Sequence, residues 1–254
     1  MIPKIIHYCW LSNDPLPKEV HGYIEGWKQV LPDYEFIKWG FDRFDINQSQ
    51  WVREAFEARK YAFAADYIRL YALYHFGGIY LDSDVEVLRT FDPLLGLRTM
   101  MCYEDFGDRY EMATFGVEKE SAWVKQALAY YDNRPFVRED GSCDMKVVPK
   151  IVVEVFEQQG IEIRNVNSLE QAMEAEKADY IPVFSSDYFS PKSYATGKVT
   201  TTAQTFSIHH FAGSWLPDYV KWEHAFWNFL GLNDPNILMR VVKMKKKLKA
   251  LLTR

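Results

Sequence analysis

The stretch from Tyr61 to Glu86 constrains the fold more than any other part of the sequence. It runs YAFAADYIRLYALYHFGGIYLDSDVE, with no proline or glycine before position 77. Its first part is typical of a largely buried helix, because Ala, Leu, Ile and aromatic residues occur throughout it. Gly77 and Gly78 indicate where that helix ends, since glycine is favoured just after a helix C-terminus. Ile79 to Leu81 then predicts a short buried strand.

The charged side chains of this stretch are candidates for chemistry. Asp82 and Asp84 follow the predicted strand one residue apart and point to the same side, so they either repel one another or share a cation. A hard divalent ion would reconcile the two carboxylates. Asp66 and Arg69 lie three residues apart on one face of the predicted helix, where charged residues are unusual for a buried element. An internal ion pair and a polar functional site both account for this second pair.

The block AADYIRLYALYHFGGIYLDSD resembles the sugar-binding region of the retaining DxD glycosyltransferases of family 32. This family includes Och1-like mannosyltransferases, bacterial capsule and lipopolysaccharide transferases and, more distantly, the glucosylating domain of large clostridial toxins. The resemblance implies that Asp66 and Arg69 contact the donor sugar. It also implies that Asp82 and Asp84 hold Mn²⁺ or Mg²⁺ on the diphosphate of a nucleotide sugar. These four residues are the predicted catalytic set.

A second block with candidate chemistry is FSIHHFAGSW, at 206–215. Its alternation of apolar and polar residues predicts a strand that ends at two histidines, which point to opposite faces. The segment HHFAGSW resembles the C-terminal motif of the same family, in which a histidine completes the metal shell. We expect His210 in that role, because HFAG fits the related HxxG pattern, and His209 is the alternative. Ser214 and Trp215 would then close over the diphosphate or the base.

The chain opens with IPKIIHYCW at 2–10, which predicts a buried strand. In open α/β sheets ligands bind beyond the strand C-termini, so Trp10 is expected at the edge of the site. The resemblance implies that Trp10 stacks on the nucleotide base, and packing in the core is the alternative. Tyr80 and Ser83 are further predicted donor-binding residues. His7 is expected to be a core histidine whose hydrogen bonds are satisfied.

The order of predicted elements indicates an α/β protein. A helix at 18–30 and a strand at 35–39 follow the opening strand, and strand, helix, strand is the signature of an α/β sheet. Further elements are predicted at 85–88, 100–103, 121–131, 145–159, 161–163 and 169–177. The family resemblance implies a single GT-A-like, Rossmann-like mixed sheet flanked by helices over residues 1–232. We expect the long polar loop at 188–204 to act as a lid.

Composition fits a soluble enzyme. The 254 residues are 48% hydrophobic and 16% aromatic, which excludes a disordered chain. No apolar run of about 18 residues occurs, and no charged segment followed by an apolar one opens the sequence, so we expect neither a membrane span nor an export signal. Cys9, Cys102 and Cys143 are odd in number and far apart, which favours a reducing compartment and gives no zinc pattern. We expect a cytoplasmic location, at or near the inner face of the plasma membrane.

Positive charge is concentrated in the last 15 residues of the sequence. Residues 240–254 hold seven Lys or Arg and no acid, whereas the rest of the chain holds 23 basic and 35 acidic side chains. Apolar residues at three- and four-residue steps predict a basic amphipathic helix over residues 233–254. Such a helix can lie on an anionic membrane, and packing on the domain is the alternative. The acidic remainder disfavours nucleic-acid binding.

The sequence therefore predicts a metal-dependent retaining glycosyltransferase. It would move a hexose or N-acetylhexosamine, from UDP rather than GDP, to a saccharide or lipid-linked saccharide in bacterial capsule or other surface polysaccharide synthesis. Two other interpretations remain open. LDSDV also resembles the DxDx[TV] pattern of phosphohydrolases in its two Asp residues, although that motif usually follows the first strand of a domain. A catalytically silent sugar-binding protein would also keep these features.

Overall fold

The computed structural model describes residues 1–12, 14–104, 109–193 and 196–212. The strands found there are β1 (Ile5–Cys9), β2 (Glu35–Trp39), β3 (Gly78–Leu81), β4 (Val85–Val87), β5 (Thr99–Met100), β6 (Thr114–Val117), β7 (Ile163–Val166), β8 (Ile181–Phe184) and β9 (Ser207–His209). The α-helices in the same ranges are α1 (Lys18–Val30), α2 (Gln50–Glu57), α3 (Tyr61–Phe76), α4 (Ala122–Ala129), α5 (Val148–Gln159) and α6 (Leu169–Lys177).

A mixed sheet of order β2-β1-β3-β6-β5 forms the centre of the protein. Strand β1 pairs in parallel with both β2 and β3, whereas β6 is antiparallel to β3 and β5. Because β1, β2 and β3 run in one direction, their C-terminal ends meet at one edge of the sheet. The predicted α/β class, a mixed sheet flanked by helices, is confirmed.

Helices cover both faces of this sheet. One hydrophobic core joins the sheet to α2, α3, α4 and α5, and a second core joins the other face to α1 and α6. Strand β3 contributes to both, because its side chains alternate: Tyr80 packs in the first core, and Ile79 and Leu81 pack in the second. Burial on both faces explains why this strand is an unbroken apolar run in the sequence.

The turn from α3 into β3 requires glycine. Gly78 has a φ of +105°, and a Cβ at this position would lie 2.6 Å from the Ile5 carbonyl oxygen of β1. The Gly77 carbonyl accepts a hydrogen bond from Nε2 of His7 at 2.8 Å, and His7 Nδ1 accepts one from Trp39 Nε1 at 3.1 Å. His7 is fully buried with both ring nitrogens paired, as predicted.

The predicted bounds of α1, β2, α3 and α6 agree with the structure. The strand expected at 161–163 lies at Ile163–Val166 instead, and β6 and β8 were not predicted. Strand β8 contains Pro182, which lowers the strand signal, but proline is tolerated here because β8 belongs to a two-stranded sheet with β7. A second two-stranded sheet pairs β4 with β9, antiparallel, and this pairing shapes the site.

Several predictions concern residues outside the described ranges. These are Ser214, Trp215, the domain boundary at 232 and the basic helix over 233–254.

Among the described residues, no helix combines the length and apolar character needed to cross a membrane. Cys9, Cys102 and Cys143 are all free of disulfide bonds.

Candidate active site

The acidic pair lies where three strands end or begin. Asp82 directly follows β3, and its backbone N–H donates to the Ala113 carbonyl at 2.8 Å. Asp84 directly precedes β4, in which Val85 pairs with His209 of β9. The short β4–β9 sheet thus brings a residue far along the chain beside the acidic pair.

Arg69 connects the helix to the acidic pair. Its Nη2 lies 3.0 Å from Asp66 Oδ1 on the same helix and 3.3 Å from Asp82 Oδ1. Its Nη1 donates to the Met112 carbonyl at 2.8 Å, and its guanidinium lies 4.6 Å from the centre of the Tyr80 ring. Asp66 and Arg69 therefore form a buried ion pair that adjoins the acidic pair, and a functional role for them stays a prediction.

Burial shifts the pKa values of both members of this ion pair. It raises the pKa of Asp66 to about 6, against the opposing effects of Arg69 and of the Val148 N–H, which donates to Oδ2 at 3.2 Å. Burial lowers the pKa of Arg69, but Asp82, Tyr80 and Asp66 together raise it by more. At pH 7 Asp66 is therefore mostly ionised and lies against a permanent cation.

Asp82, Asp84 and His209 form a candidate cation site. Each offers one ligand atom, and the three atoms lie within 4.8 Å of one another. Two carboxylate oxygens suit Mg²⁺ or Mn²⁺, and an imidazole nitrogen favours a first-row transition ion over Mg²⁺. The donor set of these three residues therefore fits the predicted divalent cation, with Mn²⁺ the better match.

The two carboxylates of the site have different environments. Burial raises the pKa of Asp82, and Asp84 adds to this rise while Arg69 opposes it. Burial also raises the pKa of Asp84, but His209 and the Ala212 N–H, which donates to Asp84 Oδ2 at 2.7 Å, lower it by more. Asp84 is the more firmly ionised member of the pair.

His209, rather than His210, lies beside the acidic pair. Its Nε2 is 3.6 Å from Asp84 Oδ2. His210 Nε2 instead lies 2.9 Å from Glu86 Oε2, and its ring stacks on Tyr23 with centroids 5.0 Å apart. The preference for His210 is corrected by this geometry, because β9 pairs through His209 and successive residues point to opposite sides.

Glu111 is a site residue that the sequence analysis did not identify. It is 1% exposed, and its Oε2 lies 3.1 Å from His209 Nδ1. Although burial lowers the pKa of His209, Glu111 and Asp84 raise it well above its usual value. In the sequence, Glu111 is a single acidic residue among the apolar residues Tyr110, Met112 and Ala113, and this pattern could have identified it.

The predicted donor-contacting residues occupy two places. Trp10 is half-buried, and it lines a cavity of about 250 Å³ beyond the C-terminal ends of β1 and β2. Tyr80 is buried, and its hydroxyl donates to Asp82 Oδ1 at 2.9 Å, so it orients that carboxylate. Ser83 lies between the two acidic residues and is half-buried. The cavity is lined by Trp10, Leu11, Ser12, Lys38, Gly40, Phe41 and Asp42.

Residues 17–100 match the family described as "glycosyltransferase sugar-binding region containing DXD motif". This segment of the chain is similar to that sugar-binding region. The match includes Asp66, Arg69, Asp82 and Asp84, the residues on which the resemblance was based, and the family recognition is confirmed over this segment.

Three curated relatives each match a little over a third of the chain. Inositol phosphoceramide mannosyltransferase 3 of Schizosaccharomyces pombe is 38% identical over 98 residues, which are 37% of this chain and 27% of the relative. Mannosyl phosphorylinositol ceramide synthase CSH1 of Saccharomyces cerevisiae is 36% identical over 102 residues, 37% and 26% of the two chains. An uncharacterized glycosyltransferase, L373 of Acanthamoeba polyphaga mimivirus, is 32% identical over 103 residues, 38% and 41%. The chain spans about a quarter of the length of the two yeast relatives.

Two solved structures are similar in outline. The PaToxG glycosyltransferase aligns with a TM-score of 0.48 at 16% identity, over 70% of this chain and 74% of that one. The galactosyltransferase LgtC, solved with donor and acceptor sugar analogs, aligns with a TM-score of 0.41 at 13% identity, over 89% and 94%. The α/β class stated above rests on the protein's own sheet and helices.

Proposed function

We propose that this chain is a divalent-cation-dependent glycosyltransferase that uses a nucleotide sugar as donor. One observation carries the proposal: the ligand atoms of Asp82, Asp84 and His209 lie within 4.8 Å of one another. Arg69 joins this cluster to Asp66, since it lies within 3.3 Å of both Asp66 and Asp82. The match of residues 17–100 to a sugar-binding region supports the same reaction class.

In the proposed reaction the bond between the anomeric carbon and the diphosphate oxygen breaks, and a bond to an acceptor hydroxyl oxygen forms. The nucleoside diphosphate leaves with the bonding electron pair. A bound divalent cation supplies positive charge that stabilises this leaving group. Asp82, Asp84 and His209 would hold that cation, with Tyr80 fixing the orientation of Asp82 through its hydroxyl.

Asp66 and Arg69 would act on the sugar side. An ionised Asp66 can accept hydrogen bonds from sugar hydroxyls and favours the positive charge that builds on the ring. Arg69 holds this carboxylate in place through the contact at 3.0 Å. For the retaining outcome we propose front-face substitution, in which the acceptor proton passes to the leaving phosphate oxygen. A trapped covalent glycosyl-enzyme adduct would contradict that route.

The names of the two yeast relatives favour mannose as the transferred sugar. One is named an inositol phosphoceramide mannosyltransferase, and the other is named a mannosyl phosphorylinositol ceramide synthase. We therefore propose that the donor is a mannose nucleotide and the acceptor a glycolipid headgroup. The expectation of a UDP-linked hexose and of a bacterial capsule or surface polysaccharide stays a prediction, as do the lid over 188–204, the membrane contact of 233–254 and the cytoplasmic location.

Calorimetric titration tests the donor site. GDP and UDP are titrated, each with and without Mn²⁺, into the wild type and into Asp84→Ala, with the exposed-acid variant Asp33→Ala as the matched control. We expect one nucleotide to bind only with Mn²⁺, and we expect Asp84→Ala, but not Asp33→Ala, to lose this binding. The nucleotide that binds identifies the donor class.

Two results would overturn the proposal. One is the absence of nucleotide binding by folded wild-type protein, and the other is equal binding by the wild type and Asp84→Ala. Incubation with GDP-mannose and with UDP-glucose then distinguishes an enzyme from a silent sugar-binding protein. An enzyme releases the nucleoside diphosphate at a rate that rises with a glycolipid acceptor, whereas a silent protein binds the donor without releasing it.

A further inference from the structure

We infer that Glu111 is a positioning residue that holds His209 with its Nε2 directed at the cation site. This inference rests on the proposed function, in which His209 is a ligand. Glu111 does not touch the acidic pair itself in any contact of the described residues. It acts through the histidine ring.

Glu111 is held rigidly and is therefore able to hold a partner. It is 1% exposed, and its backbone N–H donates to the Cys102 carbonyl at 2.9 Å. Its Oε1 accepts from the Ala113 N–H at 2.7 Å. The remaining oxygen, Oε2, lies 3.1 Å from His209 Nδ1. A buried carboxylate with one oxygen already engaged by the backbone presents the other in a fixed direction.

The contact decides which nitrogen of His209 faces the site. A carboxylate oxygen only accepts hydrogen bonds, so Nδ1 must carry the proton that it donates to Glu111. Nε2 then points the other way, 3.6 Å from Asp84 Oδ2, and it is the ring nitrogen whose lone pair a cation can take by displacing its proton. A carboxylate that accepts from the second ring nitrogen is a common support for a metal-binding histidine.

The adjacent histidine shows the contrast. His210 also pairs with a glutamate, but it does so through Nε2, which lies 2.9 Å from Glu86 Oε2. The side chain of Glu86 is 43% exposed, whereas the side chain of Glu111 is 2% exposed. The two Glu–His pairs on one strand end thus have the same chemistry, but only the one with Glu111 leaves a ring nitrogen facing the acidic pair. Glu86 is a matched control.

Glu111→Gln tests the positioning role, because it keeps the size and shape of the side chain and changes its hydrogen-bonding groups. The amide has one accepting oxygen, whereas Glu111 uses two. If that oxygen accepts from the Ala113 N–H, the amide NH₂ faces His209 Nδ1 and donates to it. The neutral ring must then carry its proton on Nε2, and no lone pair remains for the cation.

The first measurement is Mn²⁺ affinity. It is determined from the electron paramagnetic resonance signal of free Mn²⁺. We expect Glu111→Gln to weaken binding by about 10-fold to 100-fold. Glu86→Gln should match the wild type, and His209→Ala should lose at least as much affinity as Glu111→Gln. Folded protein is verified by circular dichroism and by the thermal midpoint of each variant. Wild-type affinity in Glu111→Gln, together with a loss in His209→Ala, would overturn the inference.

The second measurement needs no altered Glu111 and no metal. In the metal-free wild type, the Nδ1–H of His209 should give a downfield proton signal that exchanges slowly, because a buried carboxylate accepts it. His209→Ala assigns the signal by removing it. Absence of this signal would overturn the inference even if Glu111→Gln does not fold. Failure of the wild type to bind Mn²⁺ would instead contradict the proposed cation dependence, and the proton signal would still decide whether Glu111 holds the ring.

Discussion

At the scale of single residues, Arg69 explains why charged side chains occur in an apolar helix. It is 6% exposed, and it lies 3.0 Å from Asp66 and 3.3 Å from Asp82. Breaking a buried ion pair leaves an uncompensated charge, so each of these residues depends on the others. The same contact fixes the distance between the helix residue that would meet the sugar and the acidic pair that would hold the cation.

His7 gives a prediction about pH at this scale. Burial lowers its folded-state pKa to about 4, from the ordinary value of 6.5. The unfolded chain therefore takes up the proton first as the pH falls, so the stability contributed by neutral His7 is full above about pH 6.5 and is lost as the pH falls toward 4. Between pH 7.5 and pH 5 the wild type should lose about 2 kcal/mol through this group.

Urea denaturation of the wild type and of His7→Gln at the two pH values measures this loss. The stability difference between the two proteins should shrink by about 2 kcal/mol on acidification, because other titrating groups cancel in the comparison. His21→Gln, which removes an exposed histidine of α1, is the control. A constant difference for His7→Gln would contradict a buried neutral His7.

At the scale of elements, the α3–β3 connection delivers Asp82 to the site. The helix ends at Gly77 with a φ of +66°, and Gly78 follows with a φ of +105°. Strand β3 can then lie directly beside β1, with Ile79 opposite Ile6. The double glycine therefore sets the register that places the acidic pair.

Gly78→Ala should destabilise the protein and misplace Asp82. A Cβ there would lie 2.6 Å from the Ile5 carbonyl oxygen, and the positive φ adds strain, so we expect a loss of at least about 1 kcal/mol. Gly26→Ala, inside α1 with no atom within 4 Å of the added Cβ, should instead stabilise by about 0.5 to 1 kcal/mol. Chemical denaturation measures both changes. Equal effects of the two substitutions would argue against the close approach of β3 to β1.

At the scale of the whole molecule, the parallel strands place two separate features on one edge of the sheet. Strands β1 and β3 pair in parallel with His7 opposite Tyr80, so Trp10 and Asp82 follow adjacent strands at the same edge. The cavity beside Trp10 also uses Gly40 and Asp42, which follow β2. A base held in the cavity and a diphosphate at the acidic pair would lie along this edge.

Trp10→Ala tests this arrangement. Loss of a stacked aromatic ring should weaken binding of the nucleotide by about 10-fold to 100-fold, because base stacking contributes about 1 to 3 kcal/mol. Mn²⁺ affinity in the absence of nucleotide should not change, since Trp10 is not part of the cation cluster. Titration calorimetry measures both constants. Undiminished nucleotide affinity would place the base elsewhere.

The sequence by itself determined the local elements and the chemistry of the acidic cluster. The bounds of α3 follow from an uninterrupted apolar run and a double glycine, and the DxD spacing fixes two carboxylates within a few residues. Such signals are local, so adjacent residues carry them. Strands β6 and β8 were missed because β6 is a short run and β8 contains a proline, and only their partners make them strands.

Only the tertiary structure decided which residues complete the site. The choice of His209 over His210 depends on the pairing of β9 with β4, a contact between residues more than 100 positions apart. Glu111 joins the site for the same reason, because its contact with His209 spans 98 positions. A side chain's direction is set by the register of its strand, and the register is set by a partner strand that no local pattern reveals.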